Sequence, residues 1–305
     1  MFYVIFLQKF THFLYILNER NIMEKTIKIT KMNGCGNDFV IIDKSEYKKT
    51  GLPMNELAKR VCDRNFGVGA DGMIIPDLEA QNGVDIGWYF YNSDGTTAQM
   101  CGNGMRCFAK YVYDKKLVDK TQFSVQTGAG VIKPQILDNG MVSVNMSSPI
   151  LEAARIPFVG ENVLGFEIEA KDRVFKANAV SMGNPHCVIF TDEDVYSLAK
   201  EYGPSLESHK YFPEKTNVEF VRVKSRDEVD FCVYERGCGI TLACGTGACA
   251  SVVAGVLNNL TDCKVKVNLL GGAVTIDWSE YKGDSNADIF LIGPANYNFY
   301  ADYIL

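Results

Sequence analysis

The sequence predicts an α+β protein made of two copies of one domain, and three observations support this. The units Cys101-Gly102-Asn103-Gly104 and Cys244-Gly245-Thr246-Gly247 stand 143 positions apart, and the pairs Gly36-Asn37 and Gly183-Asn184 stand 147 apart. Each Cys-Gly unit follows strand-like alternation and opens a helical stripe, so the offset carries a whole order of elements and not one motif alone. The length agrees, because 305 residues is about twice the ~150 of a typical domain. The expected divisions are an extension at 1–22, a first domain at 23–148 and a second at 149–305.

In chain order, Ile27, Ile29 and Met32 form one face of a first strand that ends in Asn33-Gly34-Cys35-Gly36-Asn37. Phe39 to Ile42 reads as its continuation. Pro53 followed by Leu57, Ala58, Val61 and Cys62 has the spacing of a helix begun by proline. Val84, Ile86, Trp88 and Phe90 alternate with Asp85, Gly87, Tyr89 and Tyr91 as a two-faced strand, and Ser93-Asp94-Gly95 turns the chain. Met105, Phe108, Ala109 and Val112 then make the buried stripe of a helix that starts directly after Cys101. Residues 121–147 are strand-like around a Gly128-Ala129-Gly130 turn. In the second half, strands near 166–180 reach Met182-Gly183-Asn184-Pro185-His186, and a short helix is expected near 192–201. Strands near 217–223 and 228–234 lead to Glu235-Arg236-Gly237-Cys238-Gly239. Cys244 then opens a helix striped by Val252, Val253 and Val256, and two or three strands close the chain.

The composition is 47% hydrophobic and 22% charged, which excludes intrinsic disorder. A net charge of −6 argues against nucleic acid or an anionic membrane as the main partner, since both require a basic footprint. Residues 1–17 are apolar but broken by Gln8, Lys9, Thr11 and His12. They lack a basic leader, a small-residue cleavage site and the ~20 uninterrupted apolar residues of a membrane span. Met23 is the expected functional start. Ten cysteines without a usable secretion signal point to a reducing cytoplasm.

Cys101 and Cys244 are the candidate chemical groups. A helix N-terminus offers unpaired N–H groups and partial positive charge, so a thiol there is expected to ionise below its ordinary ~8.5. Gly102, Gly104, Gly245 and Gly247 let the backbone approach a ligand, where the same N–H groups could hold a carboxylate. If the two halves face each other across a pseudo-twofold axis, the two thiols enter one cleft from opposite sides. Such a pair suits inversion at a carbon bearing one exchangeable proton, with a base on one face and an acid on the other. Cys62, Cys107, Cys187, Cys232, Cys249 and Cys263 are expected to pack as small hydrophobes. Cys232, Cys238, Cys244 and Cys249 lack the close pairs of structural zinc, so no metal is expected. His12 and His209 are expected on the surface.

Gly34-Cys35-Gly36-Asn37-Asp38-Phe39, Asn92-Ser93-Asp94-Gly95, Cys101 to Cys107, Gly183 to Cys187, Thr216-Asn217-Val218-Glu219, Tyr234 to Gly237 and Ala243 to Ala248 together resemble diaminopimelate epimerase, from about Lys25 to the C-terminus. The resemblance implies two pseudo-symmetric domains, each a mixed β-sheet or barrel wrapped around a central helix, with the active site in the interdomain cleft. It implies a cofactor-independent epimerase that interconverts LL- and meso-diaminopimelate on the route to lysine and peptidoglycan, with Cys101 and Cys244 as the acid/base pair. Gly102, Asn103, Gly245 and Thr246 match positions that hold the reacting carboxylate and ammonium. Asn37, Asn92, Asn184, Asn217, Glu235 and Arg236 match substrate-binding positions, with Arg236 suited to the distal carboxylate. His186 matches a supporting position. The implied partner is a small molecule, and a homodimer is compatible with it.

Asn33 and Cys35 stand where many members have His and Leu, Gly72 where a substrate-contacting Gln is common, and Ile240 where Glu is frequent. These departures bear on affinity more than on reaction type. The rival readings are a racemase of the proline or hydroxyproline kind with the same duplicated fold, an isomerase of the phenazine-pathway type, a thiol redox protein working through a Cys101–Cys244 disulfide, and a binding module without activity.

Overall fold

The computed structural model describes residues 25–80 and 83–305. The expectations for residues 1–22, His12 and a start at Met23 lie outside the described residues. Strand β1 (Thr26–Gly34) is followed by β2 (Asn37–Ile41), which does not continue it but returns antiparallel to it, with Gly34 opposite Asn37. Cys35 and Gly36 both have positive φ, 55° and 86°, the consecutive left-handed pair of a type I′ two-residue hairpin loop. Helix α1 (Lys44–Thr50), with no buried residue, has no apolar stripe and gave no signal in the sequence. Helix α2 (Met54–Cys62) buries Leu57, Ala58, Val61 and Cys62 as its spacing predicts.

Next come β3 (Gly72–Asp77), β4 (Ile86–Asn92), helix α3 (Gly102–Asp114), β5 (Val125–Thr127) and β6 (Gly130–Ile132). After β7 (Gln135–Ile136) and β8 (Val142–Asn145), the second half contains β9 (Phe166–Ala170), β10 (Arg173–Ser181) and β11 (Pro185–Phe190). Helix α4 runs from Val195 to Glu207, later than expected, because the Asp194 carboxylate caps it by accepting the Ser197 N–H at 2.8 Å. Strands β12 (Asn217–Ser225), β13 (Glu228–Glu235) and the two-residue β14 (Gly239–Ile240) precede helix α5 (Gly245–Leu257). Four strands close the chain: β15 (Lys264–Leu269), β16 (Gly272–Asp277), β17 (Phe290–Gly293) and β18 (Asn296–Ile304).

The duplication is visible in the pairing. Strands β1-β2-β3-β4-β5-β6 adjoin in that order, alternately antiparallel and parallel. Strands β10-β11-β12-β13-β15-β16 repeat the same alternation. Helices α2 and α4 occupy equivalent crossovers, as do α3 and α5. Parallel neighbours need such crossovers, and each crossover helix covers a face of its sheet.

Placing the boundary of the duplication at 148/149 is our proposal, and the two sheets exchange strands across it. Strands β7 and β8 belong to the second sheet, where β8 pairs with β17, whereas β18 pairs with β1 in the first. Helices α3 and α5 share the largest core cluster, so their buried stripes, including Met105, Phe108, Val252 and Val253, pack into one interior. Helix α4 covers a second cluster on the outer face of its sheet and α2 a third. Among the described residues no helix is long and apolar enough to cross a membrane.

Candidate active site

Cys101 and Cys244 are the N-caps of α3 and α5. Both have extended backbone (φ −146°, ψ 120° and φ −119°, ψ 107°), and each sulfur accepts the N–H three residues on, from Gly104 at 3.5 Å and Gly247 at 3.4 Å. The two helix starts meet at one side chain. A β-carbon on Gly102 would lie 2.8 Å from Cδ2 of Leu291, and one on Gly245 would lie 3.1 Å from the same methyl. Glycine at both positions lets the two N-termini close on this buried leucine without displacing its methyl group. Asn103 ties them further, its Nδ2 donating to Asn37 Oδ1 at 3.1 Å and to the Ala243 carbonyl at 3.3 Å.

Asn37, Asn92, Cys101, Asn103 and Glu235 line one cleft of about 800 Å³. Asn37 Oδ1 faces the Cys101 thiol at 3.6 Å. The Asn92 amide donates to Thr96 Oγ1 at 3.0 Å and so closes the turn at 93–95. Among the described residues Asn103 Oδ1 is buried without a partner, an acceptor left open between the helix starts.

A second group surrounds Cys244. Its sulfur is 3.5 Å from the Thr246 hydroxyl, which lies 3.4 Å from Asn184 Nδ2. Asn184 Oδ1 meets His186 Nε2 at 3.0 Å, and His186 Nδ1 meets the buried Glu219 carboxylate at 2.7 Å. Asn217 and Arg236 are placed differently. The Asn217 amide is spent on the backbone, donating to the Pro185 carbonyl at 2.9 Å and accepting the Arg236 N–H at 3.0 Å. The Arg236 guanidinium is exposed, donates to the Glu214 carbonyl at 3.1 Å and does not line the cleft.

The expected low thiol pKa is not what the structure shows. Burial pushes the Cys101 thiol up and outweighs the Gly104 and Asn103 N–H groups and the charge of Arg106, all of which favour the thiolate. Cys244 is pushed well above its ordinary range by burial, then by the Glu235 and Glu219 carboxylates, against the Thr246 and Gly247 donors. A helix N-terminus is worth little against full desolvation of a charge. Burial also raises Glu235, with the Thr241 hydroxyl and Cys244 thiol opposing as donors, and it raises Glu219, with His186 opposing.

Sequence reasoning assigned no role to Glu219, Asp71 or Arg106. Glu219 had a signal, as an acid between the apolar residues Val218 and Phe220 of a buried strand. All ten cysteines are free, and Cys62, Cys107, Cys187, Cys232 and Cys249 are buried as expected, while Cys263 is half-buried. Among the described residues no group of three or more His, Cys, Asp or Glu side chains is arranged to hold a metal.

The structure resembles a phenazine biosynthesis protein of the PhzF family from Bacillus anthracis, with a TM-score of 0.69 at 15% identity over 92% of this chain and 99% of that one. It also resembles a hydroxyproline epimerase from Agrobacterium vitis, with a TM-score of 0.64 at 13% identity over 92% and 93%. At such identities the likeness is one of fold, a duplicated α+β architecture. In sequence the chain is 45% identical over 282 residues to the diaminopimelate epimerase of Desulfitobacterium hafniense, covering 90% of this chain and 96% of that one. It is 43% identical over 276 residues to the diaminopimelate epimerase of Methanococcus maripaludis, covering 88% and 96%. The diaminopimelate epimerase family model matches residues 29–152 and 178–297, one segment in each half of the duplication. The chain therefore belongs to the diaminopimelate epimerase family and is an isomerase.

Proposed function

We propose that this enzyme interconverts LL- and meso-2,6-diaminopimelate by two-base proton transfer without a cofactor, with Cys101 and Cys244 as the acid/base pair. The observation behind this reading is that two cysteines cap equivalent helices of a duplicated fold, with both helix starts closed on Leu291. One thiolate removes the α-proton from one face while the other thiol delivers a proton to the opposite face, and the roles exchange in the reverse direction.

The carbanion is the costly species. The N–H groups at the starts of α3 and α5 suit the substrate carboxylate, into which the carbanion's charge spreads, and a single such donor is worth about 10²–10³ in rate. The unpartnered Asn103 Oδ1 suits an ammonium N–H. Asn37, Asn92, Asn184 and Glu235 are the substrate contacts in this reading, with His186 supporting Asn184. Gly102, Gly245 and Thr246 complete the reacting-end cradle. Arg236 serves the distal end, where it must leave the Glu214 carbonyl to meet a carboxylate, and Asn217 supports that end by holding the Arg236 backbone N–H. The raised thiol pKa values fit a site in which bound substrate, more than the helix dipole, draws out the thiolate. Free thiols suit the cytoplasm, the compartment we propose, and the product would enter lysine and peptidoglycan synthesis.

The test is incubation with LL-diaminopimelate in D₂O without pyridoxal phosphate. Meso product carrying α-deuterium is expected, and an enzyme that inverts proline or hydroxyproline but leaves diaminopimelate unchanged would overturn the assignment.

A further inference from the structure

Arg106 lies in the second turn of α3, five residues after Cys101, and its relative exposure is 0%. Its Nε donates to the Pro294 carbonyl at 3.1 Å, Nη1 to the Gly102 carbonyl at 3.5 Å and Nη2 to Cys35 Sγ at 3.9 Å. None of these acceptors is a carboxylate. The chamber is fitted to the guanidinium: a β-carbon on Gly34 would come within 2.9 Å of Nη2, and one on Gly293 within 3.1 Å of Nε. A guanidinium stays charged at any pH a protein meets, and a buried charge without a counter-charge is costly. Among the described residues no carboxylate pairs with it, so the fold maintains an uncompensated positive charge beneath the start of α3.

The second half has no counterpart. The 143-residue offset that superposes Cys101 on Cys244 places Cys249 where Arg106 stands. Carboxylates crowd the Cys244 side instead. Glu219 Oε1 would lie 2.8 Å from a β-carbon on Gly247, Glu219 Oε2 is buried without a partner among the described residues, and the Glu235 carboxylate is close enough to oppose ionisation of the Cys244 thiol.

We propose that Arg106 is a positioning residue for proton transfer: bound to the Gly102 carbonyl beside Cys101, it places unbalanced positive charge nearer to Cys101 than to Cys244, makes Cys101 the first of the two thiols to ionise and leaves Cys244 as the proton donor. One peptide group connects them. Arg106 Nη1 binds the Gly102 carbonyl, and the N–H of that same peptide, belonging to Asn103, faces the Cys101 sulfur. Drawing electron density toward the carbonyl oxygen makes that N–H a stronger donor to a thiolate. The charged groups facing Cys101 are Arg106, which favours ionisation, and Glu235, which opposes it. Those facing Cys244 are Glu235 and Glu219, both opposing, with His186 paired to Glu219. The inference rests on the two-base reading, and it implies that the isomer whose α-proton faces Cys101 meets the more populated protonation state of the free enzyme.

The test is iodoacetamide alkylation of the full chain without substrate across a pH series, read cysteine by cysteine by peptide mass spectrometry. It needs no turnover, so it can fail while the D₂O experiment succeeds, and the reverse. The alkylation midpoint of Cys101 is expected at lower pH than that of Cys244. In Arg106→Gln, Cys101 should react about tenfold more slowly below its midpoint, one pKa unit being tenfold in thiolate, while the Cys244 profile stays in place. Arg106→Lys, which retains the charge, should fall between. A Cys244 midpoint at or below that of Cys101 in the unaltered protein overturns the proposal, and this comparison stands even if Arg106→Gln does not fold. So does a folded Arg106→Gln whose two profiles both move together or both stay.

Discussion

Asp71 accepts the Nδ2–H of Asn37 at 2.6 Å, and this bond decides which end of the Asn37 amide meets Cys101. A carboxylate only accepts, so the nitrogen turned toward it leaves Oδ1 facing Cys101 Sγ at 3.6 Å and Asn103 Nδ2 at 3.1 Å. Asp71 is itself held by Arg64 at 2.8 Å and by the Asp38 N–H at 3.1 Å. At the equivalent position in the second half, Asn184 turns its oxygen to His186 and its nitrogen to Thr246 beside Cys244. The two related asparagines thus present opposite ends to the two cysteine sites.

Asp71→Asn should weaken this control, because an amide can satisfy Asn37 in either orientation. A hydrogen bond to a charged group is worth about 1.5–3 kcal/mol, so kcat should fall roughly 10- to 100-fold with a smaller change in KM. Steady-state kinetics on both isomers would measure it, and unchanged kcat would show that Asn37 is oriented by Asn103 alone.

Cys101→Ala and Cys244→Ala should each abolish epimerisation, since inversion needs an acceptor and a donor on opposite faces. Each variant keeps one thiol beside an intact cradle and should exchange the α-proton with retention for one isomer only, the two variants preferring opposite isomers. Deuterium incorporation followed by NMR tests this. A variant that still epimerises, or two variants with the same preference, would assign the chemistry to another residue.

Gly102→Ala should destabilise the protein by about 1–3 kcal/mol, the usual cost of overpacking, because its methyl would stand 2.8 Å from the buried Leu291. Gly245→Ala, at 3.1 Å, should cost less. Leu291→Ala combined with Gly102→Ala should cost less than the sum of the single changes. Urea unfolding of the parent, the two single variants and the double variant measures the coupling, and strict additivity would refute the shared wedge.

Burial raises the Glu235 carboxyl above its ordinary range. A carboxyl raised in the folded state stabilises only while protonated, so its contribution is complete below the unfolded pKa and is lost as pH rises through the folded one. Glu235→Gln, which keeps an acceptor for the Thr241 hydroxyl, should therefore gain in melting temperature relative to the parent as pH rises from about 4 to 8. A difference that stays flat across this range, or shrinks, would contradict the burial of a titrating acid beside Cys244.

Local pattern made much of this legible. The stripe at Met105, Phe108, Ala109 and Val112 and the proline-led spacing at Leu57 to Cys62 correspond to buried helix faces. The two Cys-Gly units mark two helix starts, as the glycines and the following stripes imply. Where the reading failed, nearby residues carried no signal. By pattern Phe39 to Ile42 reads as a continuing strand, because the reversal depends on the backbone angles of Cys35 and Gly36, and a cysteine does not advertise a left-handed conformation.

By itself the sequence determined the duplication, the helices that carry Cys101 and Cys244 and the family to which the chain belongs, because these are encoded in spacing and in residues that act on their neighbours. The tertiary structure decided the rest: β18 pairing in the first sheet, Leu291 wedged between two glycines, Arg106 sealed among neutral acceptors, Arg236 turned to Glu214, and both thiols pushed up, not down. Each of these depends on what distant segments bring to a point in space. Desolvation in particular belongs to the assembled surroundings of a group, and no local motif records it.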